Sequence, residues 1–318
     1  MMYASFPGSL LADSAGLLGL LFFAHGLADF VLQPAAMARA KALGRWQGFA
    51  GHGLVLLVLT VSCTLPYRMP GAWMLWVALP VLHVALDVLK QRALGSLAAR
   101  WGPAPLAVFV VDQVLHAIIT IAVWAAVVGV AQPGWLQELL QQGGGQPGDG
   151  HLPGRLLALV QERADLALGL LGNAYVYAVF AAGYLVQYLL QAIPATSPAV
   201  AASVEELMGG SASRVIGLLE RALVITLVAV DALPAVALVL TAKSIARYPS
   251  LREAKGLSDG PSGISPHDAL HFQEYYLVGT LASVLLGILG GLVARLAVKG
   301  LALTGLAAGP ALPTVPGL

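Results

Sequence analysis

The chain has 318 residues, of which 58% are hydrophobic and only 10% are charged, and its formal net charge is +1. Roughly 25% of the residues of an ordinary soluble domain are charged. So few charges could not cover a soluble domain of this length, and lipid must therefore be the solvent over much of it. The net charge argues against a nucleic-acid partner, which requires a basic face. The single cysteine, Cys63, excludes an intramolecular disulfide and a multi-cysteine zinc site.

Seven apolar segments approach the roughly 20 residues that a spanning helix requires. A further segment, 155–171, has helical periodicity but contains four charged residues, which favours an interfacial amphipathic helix. We therefore predict an all-α fold, a polytopic transmembrane helix bundle of about seven or eight spans. The seven apolar segments are 11–32, 49–65, 73–89, 106–130, 174–193, 215–242 and 276–298.

A stretch rich in glycine and proline divides the chain into two membrane units. Residues 132–154 cannot bury apolar surface and are typical of a flexible linker. We predict an N-terminal four-helix unit over 1–131 and a C-terminal unit of three or four helices over 155–300. The remaining residues, 301–318, are predicted to form a flexible tail.

Basic residues in short connections predict the orientation of the spans, because cytoplasmic loops are rich in Lys and Arg. Three basic residues follow the first span and three follow the third, whereas one lies between the second and third. This distribution puts the N-terminus outside. Seven spans would then leave four basic residues outside: Lys243, Arg247, Arg252 and Lys255. Either 155–193 folds as a helical hairpin and adds a span, or the C-terminal unit is an exception to the rule.

The first four predicted spans contain four histidines, three of which stand four residues from an aspartate. Residues with that spacing share one face of a helix, so each of these helices offers an imidazole and a carboxylate to the same side. The pairs are His25 with Asp29, His83 with Asp87, and Asp112 with His116, while His52 opens the second predicted span.

A carboxylate at the centre of a spanning helix costs about 2.5–3.5 kcal/mol, so such residues tend to face the bundle interior and to be functional. Imidazole nitrogens and carboxylate oxygens are ligands of zinc, manganese and iron. The same groups could instead form a proton relay or only hold the helices together. We favour a site for one or two divalent ions, with zinc as the first choice. The predicted ligands are His25, Asp29, His52, His83, Asp87, Asp112 and His116.

The C-terminal unit has a polar set of its own. Lys243 and Arg247 share a helix face, and with Arg221 they would suit an anionic head group. Glu220 and Glu274 are predicted to belong to structural ion pairs. A pairing of Glu220 with Lys243 along one helix is excluded by distance, so a neighbouring helix is expected to supply the partners.

These motifs, in this order, resemble those of an uncharacterised bacterial integral membrane family, a domain of unknown function. The resemblance covers about residues 20–120 and, more weakly, a C-terminal extension with Glu220, Arg221 and Lys243. It implies a multi-pass protein of the bacterial inner membrane. The chain is also loosely similar to predicted inner-membrane metal-dependent hydrolases. The N-terminal motifs are His25-x-x-x-Asp29-Phe-x-Leu-Gln33, a lone His52, His83-x-x-x-Asp87-x-x-Lys90 and Asp112-Gln113-x-x-His116.

Three functions are compatible with these residues. The first is a metal-dependent hydrolase of a lipid or amphiphilic substrate, in which a metal-bound water attacks and a carboxylate acts as general base. Asp87 and Asp112 are the candidate bases, and Gln33 and Gln113 would orient ligands or substrate. The second is a metal-ion or proton transporter that uses the same residues as its path. The third is a non-catalytic assembly or regulatory protein.

Overall fold

The computed structural model describes residues 10–67, 69, 71–97, 104–131, 164–193, 211–256 and 266–303, and every element among them is helical. Six of these helical stretches are long and apolar enough to cross a membrane. The all-α polytopic prediction is therefore confirmed, while the predicted linker 132–154 lies outside the described residues. The six spans are Ser14–Val31, Trp46–Tyr67, Ala72–Ala93, Pro105–Val130, Asp165–Ala192 and Gln273–Leu301.

The chain forms two compact units. The first comprises Met1–Asp87, His116–Asn173 and Arg295–Leu318, and the second comprises Val88–Leu115 and Ala174–Ala294. The helices up to the fifth span are α1 (Leu10–Gly26), α2 (Ala35–Ala42), α3 (Trp46–Thr64), α4 (Ala72–Leu97), α5 (Ala104–Ala131) and α6 (Ala164–Tyr175). A π-helical turn, Leu27–Val31, continues α1, and a second, Val176–Ala181, joins α6 to α7 (Ala182–Ala192). The remaining helices are α8 (Ser211–Ala229), α9 (Leu233–Gly256) and α10 (Pro266–Leu303).

The apolar core of the first unit sets α1, α4 and α5 in register. Leu21 of α1, Leu79 of α4 and Val123 of α5 belong to one buried cluster. His25 stands one turn beyond Leu21, and His83 stands one turn beyond Leu79. Two of the tryptophans around this core place their indole N–H groups on polar partners, Trp76 on Thr64 Oγ1 and Trp124 on the Ser14 carbonyl, both at 2.8 Å. The packing of this core therefore places the polar turns of α1, α4 and α5 at the same height along the three helices.

Small residues let α1 and α6 approach closely. A Cβ atom on Gly169 would lie 3.3 Å from the Gly19 carbonyl carbon. The Asn173 amide donates to the carbonyls of both glycines at 2.7 Å. Close backbone approach with interhelical hydrogen bonds is how helices associate in lipid, where apolar side chains gain little by leaving it. The prediction of an interfacial helix is wrong for 165–171, because these residues begin the fifth span.

The predicted sixth span, 215–242, is wrong, because the helix is broken at its centre. Asp231 has a φ of 67°, a left-handed conformation that an aspartate tolerates better than most residues. Pro234 follows in the first turn of α9, where its missing N–H is not needed. Together these residues end α8 and begin α9 in a new direction.

Helices α8 and α9 form an antiparallel hairpin. Glu220 stands 11 residues before Asp231 and Lys243 stands 12 residues after it, and their side chains form an ion pair at 2.5 Å. The expectation that these two residues are too distant is wrong, because the helix on which it rested folds back. At 1.5 Å per residue the hairpin is about 16 Å deep, roughly half of a bilayer core.

Glycines of α10 allow it to pack against α8. A Cβ atom on Gly287 would lie 3.0 Å from Val224 Cγ1, and one on Gly291 would lie 2.8 Å from Val228 Cγ1. Both valines belong to the buried cluster that α8 shares with α9. The apolar side of the hairpin therefore packs against α10.

Candidate metal centre

Six of the seven predicted ligand residues come together in the first unit. The four imidazoles are at most 4% exposed, and neighbouring ring centroids are 4.2 to 5.2 Å apart. The carboxylates of Asp29 and Asp87 lie beside them, with side-chain exposures of 13% and 3%. Four elements contribute: α1 with its π-helical turn, α3, α4 and α5. These residues are His25, Asp29, His52, His83, Asp87 and His116.

Asp29 is the residue around which the cluster is organised. It lies in the π-helical turn, where the Leu32 N–H donates to the Leu27 carbonyl five residues back at 2.8 Å. The extra residue in this turn directs Asp29 away from His25 and towards α3 and α4. Its Oδ1 atom lies 3.1 Å from His52 Nε2 and 3.2 Å from His83 Nε2. π-Helical turns recur at functional sites in proteins.

The predicted pairs within single helices share a face but are not the closest contacts. His25 Nε2 lies 3.8 Å from Asp29 Oδ2, and His83 Nε2 lies 3.8 Å from Asp87 Oδ2. These distances exceed those of a hydrogen bond. The close contacts instead join different helices, so the cluster ties α1, α3 and α4 together.

Three ligand atoms form a triangle with the dimensions of a metal site. The Nε2 atoms of His52 and His83 are 2.8 Å apart, and each lies within 3.2 Å of Asp29 Oδ1. Bonds of about 2.0–2.1 Å to a tetrahedral zinc ion would place such atoms about 3.3 Å apart. The triangle is therefore close to the required size. Asp87 Oδ2 lies 3.7 Å and 3.8 Å from the same two nitrogens, at the distance of a further ligand or a bound water.

Hydrogen bonding leaves part of this triangle unsatisfied. Oδ1 of Asp29 is buried and accepts no hydrogen bond of good geometry from any described residue. Two neutral imidazoles facing each other share one proton at most, so only one of their Nε2 atoms can act as donor. Nδ1 of His52 is likewise without a hydrogen bond in the described part of the chain. A metal-bound imidazole usually donates its other N–H to a fixed partner, so we expect His52 to be the weakest of the three ligands.

Lys41 of α2 completes the cluster. Its ammonium group forms an ion pair with Asp87 and donates to Gln33 Oε1 at 3.3 Å. Helix α2 reaches this position because Gly48 of α3 has no side chain, since a Cβ atom there would lie 2.7 Å from the Lys41 backbone nitrogen. Lys41 is one of the three basic residues that follow the first predicted span, and the sequence did not identify it as part of the site. The available signal was that buried carboxylates require cations and that Lys41 occurs in the short connection next to them.

The charges of the cluster do not cancel. The carboxylates of Asp29 and Asp87 and the ammonium of Lys41 sum to −1 when the imidazoles are neutral. A net charge in an apolar bundle is costly because the low dielectric does not screen it. One protonated imidazole would bring the sum to zero, and one divalent ion would bring it to +1. Charge balance alone is therefore met by one proton, whereas a divalent ion leaves a net charge of the same size and opposite sign.

Asp112, the seventh predicted ligand, is paired within the second unit. Its carboxylate is buried and accepts hydrogen bonds from Lys90 Nζ at 2.9 Å and from Gln113 Nε2 at 3.3 Å. It stands one turn before His116 on α5. Lys90, three residues after Asp87, is a second lysine that sequence reasoning did not assign to the site. The ammonium of Lys90 already balances the charge of Asp112.

The other predicted polar residues belong to the second unit. Arg221 is buried, Lys243 is ion-paired with Glu220, and Glu274 is exposed. Arg247 lies on α9, but its side chain is outside the described side chains.

Residues 17–140 match the model of a family described as a protein of unknown function, DUF3307. This match confirms the resemblance to an uncharacterised family, and all of the His and Asp motifs lie inside it. No curated protein and no solved structure matches the chain.

Proposed function

We propose that the protein is a membrane-embedded metalloenzyme that hydrolyses a lipid or another amphiphilic substrate. In this proposal Asp29, His52 and His83 hold one divalent ion. The observation that supports it most directly is the triangle of their ligand atoms, 2.8–3.2 Å on each side.

The ligand set favours catalysis over a purely structural role for the ion. Catalytic zinc sites commonly have three protein ligands and keep a position open for water, whereas structural sites are closed by four. Two imidazoles and one carboxylate suit zinc first, with manganese or iron as alternatives. Such an ion lowers the pKa of a bound water towards neutrality, which supplies the nucleophile.

Asp87 is the general base in this proposal. Its Oδ2 atom lies 3.7 Å from His52 Nε2 and 3.8 Å from His83 Nε2, so it would be near a water that the ion activates. The ammonium of Lys41, which also donates to Gln33, orients the carboxylate through its ion pair with Asp87. Lys41 and Gln33 therefore act as positioning residues in this proposal.

The depth of the cluster suits an amphiphilic substrate. His52 stands six residues after the start of the second span, and Asp87 stands six residues before the end of the third. At 1.5 Å per residue both lie about 9 Å from the same end of the spans. A polar group could reach this level while its hydrocarbon chain remained in lipid. From the basic residues of the first connection we infer that this end faces the cytoplasm.

The test of the proposal is metal content followed by turnover. Detergent-purified protein should contain about one zinc, manganese or iron per chain by mass spectrometry. It should hydrolyse p-nitrophenyl laurate or bis-p-nitrophenyl phosphate in mixed micelles, and chelation should abolish the reaction. Gentle purification that yields no metal would overturn the metalloenzyme proposal.

The Asp87→Asn variant tests whether Asp87 acts as the general base or as a metal ligand. We expect this variant to retain its metal but to lose about 10²- to 10⁴-fold in turnover, because general-base catalysis contributes that much. Asp231→Asn is the matched control, since its carboxylate is exposed and Asn also tolerates a left-handed backbone. Loss of metal in Asp87→Asn would instead identify Asp87 as a ligand, and unchanged turnover would exclude it as the base.

A proton path is the second candidate function, and one observation favours it. The four imidazoles form a contiguous series, with centroid distances of 5.2 Å from His25 to His116, 4.2 Å from His116 to His83 and 4.9 Å from His83 to His52. Histidine titrates near neutrality and can relay protons. Proton flux into liposomes that contain metal-free protein, lost on His116→Ala, would favour this function over hydrolysis.

A further inference from the structure

We propose that the second unit contains a binding site for a phosphate group, separate from the metal centre and anchored by Arg221. The site is a cavity of about 150 Å³ that residues of α7, α8, α9 and α10 line. A cavity of this size exceeds by far the roughly 10–15 Å³ that a single water needs. The ligand would present a phosphate, either free or as the head group of a lipid.

Arg221 is a buried cation that forms no close ion pair with a carboxylate of the described residues, because the neighbouring Glu220 side chain is paired with Lys243. Its side chain is 7% exposed, and within the described part of the chain its two hydrogen bonds go to neutral oxygens. Nε donates to the Val179 carbonyl at 2.8 Å, and Nη1 donates to Ser283 Oγ at 3.2 Å. A guanidinium has five N–H donors, so three are left for a ligand. A buried charge without a close ion pair is costly, and a bound anion reduces that cost.

The π-helical turn Val176–Ala181 supplies one of these partners. A π-helical turn shifts backbone hydrogen bonds from the fourth to the fifth residue, which leaves a carbonyl available to another donor. The Val179 carbonyl in this turn accepts from Arg221. The backbone irregularity of the fifth span therefore fixes the guanidinium in place.

The other charges at the cavity cancel. Lys243 and Glu220 both line it and are paired with each other at 2.5 Å. With Arg221 the three groups sum to +1. Lys243 is thus held by Glu220, which leaves Arg221 as the anchor of an incoming anion. Arg is suited to this role because its planar group can bind a phosphate through two parallel hydrogen bonds.

Two glycines shape the space around the guanidinium. A Cβ atom on Gly183 would lie 2.8 Å from Arg221 Nη2, and one on Gly217 would lie 3.4 Å from Nη1. The guanidinium can lie against α7 because Gly183 lacks a side chain, whereas the distance at Gly217 is that of an ordinary van der Waals contact. Gly183→Ala should therefore displace the group while keeping its charge.

The remaining lining favours a phosphate that carries hydrocarbon. Ser213 and Thr280 offer hydroxyl groups, whereas Val186, Leu190 and Ile216 are apolar. Hydroxyl groups can complete the hydrogen bonding of a phosphate, and the apolar side chains suit an acyl chain or glycerol backbone. Both sources of phosphate, free and lipid-borne, share the contact with Arg221.

Calorimetric titration of the full chain in dodecyl maltoside tests the proposal with three probes: dioctanoyl phosphatidic acid, inorganic phosphate and dioctanoylglycerol. We expect binding of phosphatidic acid but not of dioctanoylglycerol. Binding of inorganic phosphate with comparable affinity would identify free phosphate as the ligand, and its absence would identify a lipid head group. Failure of both phosphate-bearing probes to bind, or equal binding of dioctanoylglycerol, would overturn the proposal.

Substitutions at Arg221 and Gly183 test whether Arg221 anchors the phosphate. Affinity should fall at least about tenfold in Arg221→Gln and in Gly183→Ala, since loss of one charge-assisted pair costs more than about 1.4 kcal/mol. Arg214→Gln on the same helix is the matched control, because Arg214 is exposed and outside the cavity lining. If Arg221→Gln fails to fold, Gly183→Ala still decides the result. Unchanged affinity in Gly183→Ala would contradict Arg221 as the anchor, and unchanged affinity in Asp29→Asn would establish independence from the metal centre.

Discussion

Replacing Asp29 with Asn is expected to lower the metal content of the purified protein from about one ion per chain to below about a tenth. The substitution keeps the shape of the side chain but removes the anionic oxygen that both His52 Nε2 and His83 Nε2 face. Neutral amide oxygens are poor ligands for zinc beside imidazoles. Hydrolysis should be lost together with the metal.

Stability distinguishes this result from damage to the fold. In metal-free protein the neutral amide introduced by Asp29→Asn would remove the uncompensated negative charge of the cluster, so the variant should unfold no earlier than wild type. If the residues of the cluster only held the helices together, the same substitution would instead lower the free energy of unfolding, because a buried oxygen would lose its contacts. Asp231→Asn should retain both metal and stability. A wild-type metal content in Asp29→Asn would remove Asp29 from the site.

Replacing Lys41 with Met is expected to lower the free energy of unfolding by about 3–5 kcal/mol, the usual cost of breaking a buried ion pair. Asp87 is 3% exposed in its side chain and Lys41 is 13% exposed, so water replaces little of the lost attraction. The double variant Lys41→Met with Asp87→Asn should recover most of the loss, because it removes both charges. The difference between the single and double variants measures the coupling of the pair.

Thermal unfolding in detergent, followed by circular dichroism, is the measurement. Arg39→Met is the matched control, since Arg39 lies on the same short helix but is exposed. A loss below about 1 kcal/mol in Lys41→Met, or a double variant no more stable than the single one, would contradict a coupled pair. The measurement should be made without metal, so that stability and metal affinity are kept apart.

Much of the fold and site could be predicted from the sequence because lipid imposes simple rules. Apolar length located the spans around α1, α3, α4, α5 and α10. Four-residue spacing identified His83 and Asp87 as inward-facing, and both are buried. The position of His52 was informative for the same reason, since a polar ring inside a span requires a partner.

The remaining features depend on backbone irregularities and on contacts between helices. Spacing alone assigned Asp29 to His25, whereas the π-helical turn directs it to His52 and His83. The sequence of an apolar helix does not show which backbone carbonyl will be left out of the regular hydrogen-bonding pattern. Lys41 was missed because its partner, Asp87, is 46 residues away.

The break at Asp231 has a consequence for the direction in which the later helices cross the membrane. A hairpin that turns back halfway returns the chain to the side from which it entered, so α8 and α9 do not count as a crossing. If the N-terminus lies outside, as the sequence predicts, five crossings would bring the chain to the cytoplasm before α8, and α9 would end there as well. The basic residues of α9 would then face the cytoplasm, and no exception to the rule for basic loops would be required. An alkaline phosphatase fusion after Lys255 should accordingly be inactive. The left-handed turn at Asp231 would thus keep the number of membrane crossings before the end of α9 at five, an odd number, and so place the basic residues of α9 on the cytoplasmic side.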